Sequence, residues 1–386
     1  MDKTKVKCLA KQIRGVSYKP EDIHDSLDDN SVILLRANNI DDGKINLDDV
    51  VYVDKSKVSD EQYLQEGDVL ICASSGSRKL VGKAASVHFA LQCTFGAFCK
   101  VVRPHTDVAD YLGIYFQSDT YRRQISEVAL GANINNIRNE HIDCLELPVY
   151  DFEQSQGMVK KIRLLQNIMD NRKDELSKLD ELIKSRFIEM FGDPVTNPMG
   201  WERIRLADKC EIVTGNTPSR KVKEYYGNDI EWIKSDNITE ATNLTTATEY
   251  LSDEGAKVGR IVEAGSILMT CIAGSLRSIG NVAIADRAVA FNQQINAILP
   301  NEQSTYFMYE QLRLSKEYIC SGVNMALKGI LSKGQLSEIE FIFPPVELQK
   351  QFADFVSITD KSKLAIQQSI DTLQTLKDKL MQDYFG

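Results

Sequence analysis

"EGDVLICASSGSRKLVGKAA" (Glu66–Ala85) and "AGSILMTCIAGSLRSIGNVA" (Ala264–Ala283) lie 198 positions apart and align without a gap. Gly67, Gly76 and Gly82 fall on Gly265, Gly274 and Gly280. Three glycines in register are hard to obtain by chance, because glycine marks turns that a side chain would block. The same offset sets "ILLRANNI" (Ile33–Ile40) against "IEWIKSDNI" (Ile230–Ile238), with Asn39-Ile40 on Asn237-Ile238. An offset of 194 sets "IRNEHIDCLEL" (Ile137–Leu147) against "LSKGQLSEIEF" (Leu331–Phe341), and Phe191-Gly192 against Phe385-Gly386. The chain is written twice, and this repeat decides the fold.

Each half opens with about 150 residues of short apolar runs broken by Gly, Asn and Asp, which read as α+β with many strands. Each closes with a helical stretch. In the first, Met158, Ile162, Leu165, Met169, Arg172, Leu176, Leu179, Ile183, Arg186 and Met190 alternate spacings of four and three, a heptad stripe. Adding 194 gives Phe352, Val356, Thr359, Lys363, Ile366, Ile370, Leu373, Lys377, Leu380 and Tyr384, a stripe in the same register. Glycine and proline are absent from Val159–Phe191 and Val346–Phe385. At 1.5 Å per residue each helix would be about 60 Å long, more than one such domain needs. Each stripe could pack on its own globular domain, but the length favours the two stripes packing on each other, with Arg172, Arg186, Lys363 and Lys377 interrupting the seam. The expected architecture is α+β: two similar domains joined by two long antiparallel coiled-coil helices with pseudo-twofold symmetry. The expected boundaries are 1–150, a helix over 151–192, a second domain over 193–343 and a second helix over 344–386. "GDPVTNPMG" is the turn out of the first helix, because residues before proline are biased away from α.

The 386 residues are 43% hydrophobic and 26% charged, ordinary for a globular chain and ample for two domains. No apolar run is long enough to span a bilayer, and the first residues lack an apolar signal core, so a cytoplasmic protein without a membrane partner is expected. The eight cysteines are scattered without a C-x-x-C pair, which fits reduced thiols. His88, Cys93, Cys99 and His105 match no usual zinc spacing, and no metal site is expected. The net charge of −9 argues against nonspecific nucleic-acid coating but leaves room for a local basic groove.

Catalytic motifs are missing. "GSRKLVGK" (Gly76–Lys83) places five residues between its glycines instead of four, and Ala84 stands where a phosphate-binding loop carries Ser or Thr. No N-P-P-aromatic or D-P-P-Y adenine methyltransferase motif occurs, and no Glu-x-Lys. What the chain does offer is loops with nucleic-acid side chains. The candidates are Arg36, Asn38 and Asn39; Ser75, Ser77, Arg78 and Lys79; Ser219, Arg220 and Lys221; Lys234, Ser235 and Asn237; Arg277 and Ser278; and Asn292, Gln293 and Gln294. Arg reads guanine bidentately, Asn and Gln read adenine, and Lys contacts phosphate. Polar loops are also solvated turns in any protein, so each candidate carries that plainer reading as well.

Taken in order, "EGDVLI" and "AGSILM", "FGDPVTNPMGW", "GNTPSRKVKEYYGNDIEWIKSDNI" and "FPPVELQKQF" resemble the specificity subunit of type I restriction-modification systems over essentially the whole chain. The resemblance implies a non-catalytic DNA-recognition subunit with two target recognition domains, each reading one half of a split target in double-stranded DNA. It implies helices that fix the gap between the halves and dock two modification (methyltransferase) subunits. Restriction (motor and nuclease) subunits complete such complexes. S-adenosylmethionine, ATP and Mg would belong to those partners, and no cofactor to this chain. The first domain departs from the pattern: "RGVSYKPEDI" (Arg14–Ile23) stands where the second has "GNTPSRKVKEYYG", so an asymmetric target is expected. The rival reading is a coiled-coil scaffold that bridges protein partners without reading sequence.

Overall fold

The computed structural model describes residues 2–77, 80–89, 91–130, 136–275, 277–321 and 329–386. The chain forms two compact units: Met1–Lys173 with Gln368–Gly386, and Asp174–Gln367. The architecture is α+β, with two long helices, Phe152–Phe191 and Val346–Phe385, and an internal repeat.

In unit 1 one antiparallel sheet runs in the order Ala10–Arg14, Cys99–Pro104, Val69–Cys72, Ala84–Ser86. In unit 2 the order is Cys210–Thr214, Ile295–Pro300, Ile267–Thr270, Val282–Ile284. The strands inside the quoted repeat, Val69–Cys72 and Ile267–Thr270, are buried along their whole length. They read as unbroken apolar runs because both faces are covered. Alternate side chains serve different cores, as a strand's period of two requires. Val69 and Ile71 join the helices, while Leu70 and Cys72 join the second sheet. In unit 2, Ile267 and Met269 face the helices and Leu268 the second sheet.

The second sheets share a parallel pair, Cys93–Phe95 on Ser31–Leu35 in unit 1 and Val289–Phe291 on Tyr226–Ile233 in unit 2. Their outer strands differ. Unit 1 adds Ile23–His24 beyond Val51–Asp54, whereas unit 2 adds Ile261–Val262 beyond Val289–Phe291. Of the three glycines in register, Gly67, Gly82, Gly265 and Gly280 have φ of +85°, +80°, +92° and +77°, so two of the three turns require the residue.

The long helices are antiparallel. In unit 2, Phe352 near the start of the second helix meets Phe187 and Phe191 near the end of the first, at ring-centroid distances of 5.5 and 5.8 Å. Eleven residues later Lys363 pairs with Asp180, earlier on the first helix. In unit 1, Met158, Val159 and Ile162 share a core with Met381 and Phe385. Both helices end in a left-handed glycine: Gly192 (φ +75°) donates to the Ile188 carbonyl and Gly386 (φ +94°) to that of Gln382, each at 2.8 Å. That shared cap explains the repeated Phe-Gly. Asp193 then closes the turn by accepting from the Val195 and Thr196 amides.

No position of either heptad stripe is exposed. Met158, Ile162, Leu165, Met169, Ile183, Phe352, Val356 and Ile370 are buried, and Leu176, Leu179, Ile366, Leu373 and Leu380 half-buried. The stripes do more than pack on each other. Met158 and Ile162 also share the core of Tyr111, Leu112 and Tyr115, and Phe187 that of Phe307.

Candidate nucleic-acid interface

In unit 2 the loop after Thr214 is fastened along its length. Gly215 donates to the Ile295 carbonyl and Asn216 to that of Phe291, both at 3.1 Å. A Cβ on Gly215 would sit 2.2 Å from the Asn292 carbonyl oxygen, so this approach admits glycine alone. The Asn216 amide accepts from the Arg260 backbone and donates to the Val258 carbonyl, each at 2.8 Å. Two rings tie down the next residues: Trp232 Nε1 donates to the Asn216 carbonyl at 3.3 Å, and the Tyr226 hydroxyl to that of Pro218 at 2.7 Å.

Ser219, Arg220 and Lys221 are exposed on this fixed loop. The Arg220 guanidinium carbon lies 4.7 Å from the Tyr226 ring centroid and 5.1 Å from that of Trp232, and Nη2 donates to Glu249 Oε2 at 2.6 Å. Lys234 Nζ lies 5.4 Å from the Trp232 centroid and bonds the other oxygen of Glu249. The hydrogen bond from Lys234, with that from Arg220, holds the Glu249 carboxyl below its usual range. Two cations from separate segments thus meet over one carboxylate and two aromatic rings. Ser235 is half-buried beside Lys234.

Three of the candidate amides are buried and engaged within the protein. Asn39 and Asn237 are buried, and their Oδ1 atoms accept from the Arg36 and Lys234 backbone amides at 2.8 and 3.0 Å. Their Nδ2 atoms donate to the carbonyls of Asn46 and Asp49, and of Thr246. Asn292 is buried and bonds the backbone and side chain of Gln294. These amides lock turns. Gln293 is exposed and pairs with Thr217.

Arg277 and Ser278 belong to a different locus of unit 2, a cavity of about 540 Å³ also lined by Lys316, Arg313, Glu310 and Asp180. Arg277 is exposed and has no ion-pair partner among the described residues, while its carbonyl accepts from Lys316 Nζ at 2.7 Å. In unit 1, Arg36 Nη2 pairs with Asp49 at 3.1 Å and Asn38 donates to the same carboxylate at 2.8 Å. Ser75 is half-buried and Ser77 exposed, with the Ser77 amide donating to Ser75 Oγ at 3.2 Å. Arg78 and Lys79 lie outside the described residues.

Tyr226, Trp232 and Glu249 were absent from the sequence-based candidates. One signal pointed to Trp232: it and Lys234 stand two apart at a strand end, the spacing that puts side chains on one face. Among the described residues no group of three or more His, Cys, Asp or Glu could hold a metal ion. Burial pushes the thiols of Cys93, Cys99, Cys210 and Cys271 up to about 12, far from the range of a nucleophile. No helix among the described residues is long and apolar enough to cross a membrane.

Residues 198–375 match the type I restriction modification DNA specificity domain. The chain is 36% identical over 173 residues to the EcoKI type I restriction enzyme specificity subunit of Escherichia coli, covering 45% of this chain and 37% of that protein. It is 31% identical over 215 residues to the HindI specificity subunit of Haemophilus influenzae, covering 53% of this chain and 46% of that one. The chain therefore spans less than half the length of these relatives. Its fold is similar along its full length to the type I restriction-modification S subunit of M. genitalium, with a TM-score of 0.56, 13% identity and 96% of that chain covered. A chain from a structure of the type I R-M system gives a TM-score of 0.57 at 15% identity, with 97% of that chain covered. The protein thus resembles the specificity subunits of type I restriction-modification systems, most directly over residues 198–375, which match the DNA specificity domain.

Proposed function

We propose that the protein is the sequence-reading, non-catalytic subunit of a type I DNA adenine methyltransferase or restriction complex in the cytoplasm. Each unit reads one half of a bipartite, asymmetric target in double-stranded DNA. The observation that carries this reading is the repeat itself. Two units share the same framework of strands, glycine turns and helix caps, while the loops on it differ: Arg36, Asn38 and Asp49 in one, Arg220, Lys234 and Glu249 in the other. A repeated frame with divergent polar loops suits two related readers of unlike half-sites.

The helices set the unread gap between half-sites and dock two modification subunits. Four of their exposed apolar residues, which also include Phe152, Ile168 and Leu364, fall at equivalent positions of the repeat. Leu164 and Ile358, 194 apart, are 57% and 66% exposed; Leu182 and Leu376, also 194 apart, are 47% and 45% exposed. A single exposed leucine means little. Matched pairs, one member of each in each unit, support two similar docking faces. S-adenosylmethionine, ATP and Mg are used by the partners.

The test is a genome-wide map of N6-methyladenine in cells with and without this chain, the modification subunit being present in both. A split, asymmetric motif that appears only with the chain supports the proposal. Unchanged methylation, with the partner active and bound, removes sequence recognition and favours a scaffold.

A further inference from the structure

We infer that Arg220 is a guanine-reading side chain and that Glu249 is the positioning residue that makes it one. The inference rests on the proposed reading of the chain as a DNA-specificity subunit. It assigns one position of one half-site to a named residue and gives a carboxylate a part in DNA recognition.

The argument starts from the cost of using arginine. A free arginine side chain samples many rotamers, and ordering it on DNA costs free energy. Here that ordering is done before DNA arrives. The loop bearing Arg220 is tied down by Asn216, Trp232 and Tyr226. The guanidinium rests against two rings, at 4.7 and 5.1 Å from their centroids, and Glu249 holds Nη2 at 2.6 Å. The two rings, set at 77° to each other, confine the guanidinium from two sides, and the hydrogen bond fixes its rotation. The remaining N–H donors are available, since the side chain is still 56% exposed.

The charge then chooses the ligand. Glu249 is shared by Arg220 and Lys234, so two cations and one carboxylate leave a single net positive charge. A carboxylate beside an incoming phosphate is repulsive, and a site built for backbone charge alone would not contain one. It costs much less against the N7 and O6 acceptors of guanine, which are neutral and need directed donors. Exposed Lys221, without an ion-pair partner among the described residues, stands beside Arg220 for the phosphate contact. Unit 1 has no such arrangement: no cation lies over a ring there among the described residues.

The experiment uses the full chain assembled with its modification subunit. Binding is measured against duplexes carrying the methylation-defined target and every single base-pair substitution of it, at several salt concentrations. Arg220→Ala and Arg220→Lys should abolish discrimination at one G·C pair of one half-site, a loss of about 10- to 100-fold, and leave the other half-site unchanged. Lys keeps the charge and the loop, so its failure cannot be assigned to unfolding. Glu249→Gln should lower discrimination at that same pair while tightening binding to unrelated DNA, since it removes a negative charge. A merely structural carboxylate would not move those two quantities in opposite directions. Equal loss on all duplexes for Arg220→Ala, with a salt slope reduced by about one, would mean a phosphate contact and overturn the assignment. Unaltered discrimination in Glu249→Gln would remove its positioning role. If the unsubstituted complex discriminates no sequence at all, it is the DNA-specificity reading that fails.

Discussion

Lys234 in unit 2 and Arg36 in unit 1 occupy the same place: each precedes a turn locked by a buried asparagine, Asn237 or Asn39. Their surroundings differ by two residues on neighbouring strands. Trp232 stands where unit 1 has Leu34, and Glu249 where it has Val51; Leu34 and Val51 face each other across the sheet. With an apolar pair at those positions, unit 1 has no ring to stack on and no acid to share. Arg36 instead reaches Asp49, which is largely exposed. The backbone that builds the turn is common, and the residues above it decide whether a cation is fixed or loosely tethered. A repeat can thus keep its frame and change what it touches.

The comparison can be broken first at the helices. The position of Phe352 in unit 2 is Met158 in unit 1. Phe352 closes a ring cluster with Phe187 and Phe191, which also contact Phe307. Phe352→Ala should destabilise unit 2 by about 3–5 kcal/mol, read by denaturant unfolding. A loss below about 1 kcal/mol would show that the rings do not close this core.

Substitution in the loops comes next. Arg220→Ala should cost at least about tenfold in discrimination at its half-site. Arg36→Ala, removing an unstacked cation from an exposed pair, should cost a few-fold at most and at the other half-site. Competition binding with half-site variants separates them, and equal effects would erase the contrast between fixed and tethered cations. The seam offers a smaller effect. Lys363 pairs with Asp180, and the equivalent position in unit 1 is Met169. Lys363→Met should change stability by no more than about 1 kcal/mol in either direction. A larger loss would make the ion pair a determinant of register.

The smallest effects are in unit 1, where two histidines move oppositely. The hydrogen bond to Asp28 raises the pKa of His24 above 6.5, while burial lowers that of His88. The contribution of charged His24 is fully present below pH 6.5 and fades as pH rises through its folded-state pKa. That of neutral His88 is present above pH 6.5 and is lost as pH falls through its own. NMR titration should find His24 more than half protonated and His88 less than half protonated at pH 6.5. The reverse order would contradict the contacts described for both.

Much of the frame could be read directly from the sequence. Gly82 and Gly280 in register meant left-handed turns, and the heptad stripes meant long helices. The loops were read less well, for a physical reason. An asparagine that reads adenine and one that caps a turn are the same letter, and only burial tells them apart. Asn39 and Asn237 coincide in the repeat, and both are buried and lock a turn, which marks them as frame. Glu249 escaped notice because an acid is not an obvious DNA-binding residue, and its role exists only where folding brings Arg220 and Lys234 to it. The helix ends joined the domain cores because heptad spacing describes one face of a helix and not what lies beside it.

The central claim is that two related units read two different halves of one target. The most direct measurement replaces residues 1–150 with the corresponding domain of a relative and maps N6-methyladenine in cells that contain the modification subunit. One half of the methylated motif should change, while the other half and the gap stay as they were. Change in both halves, or in neither with the complex intact, would contradict it.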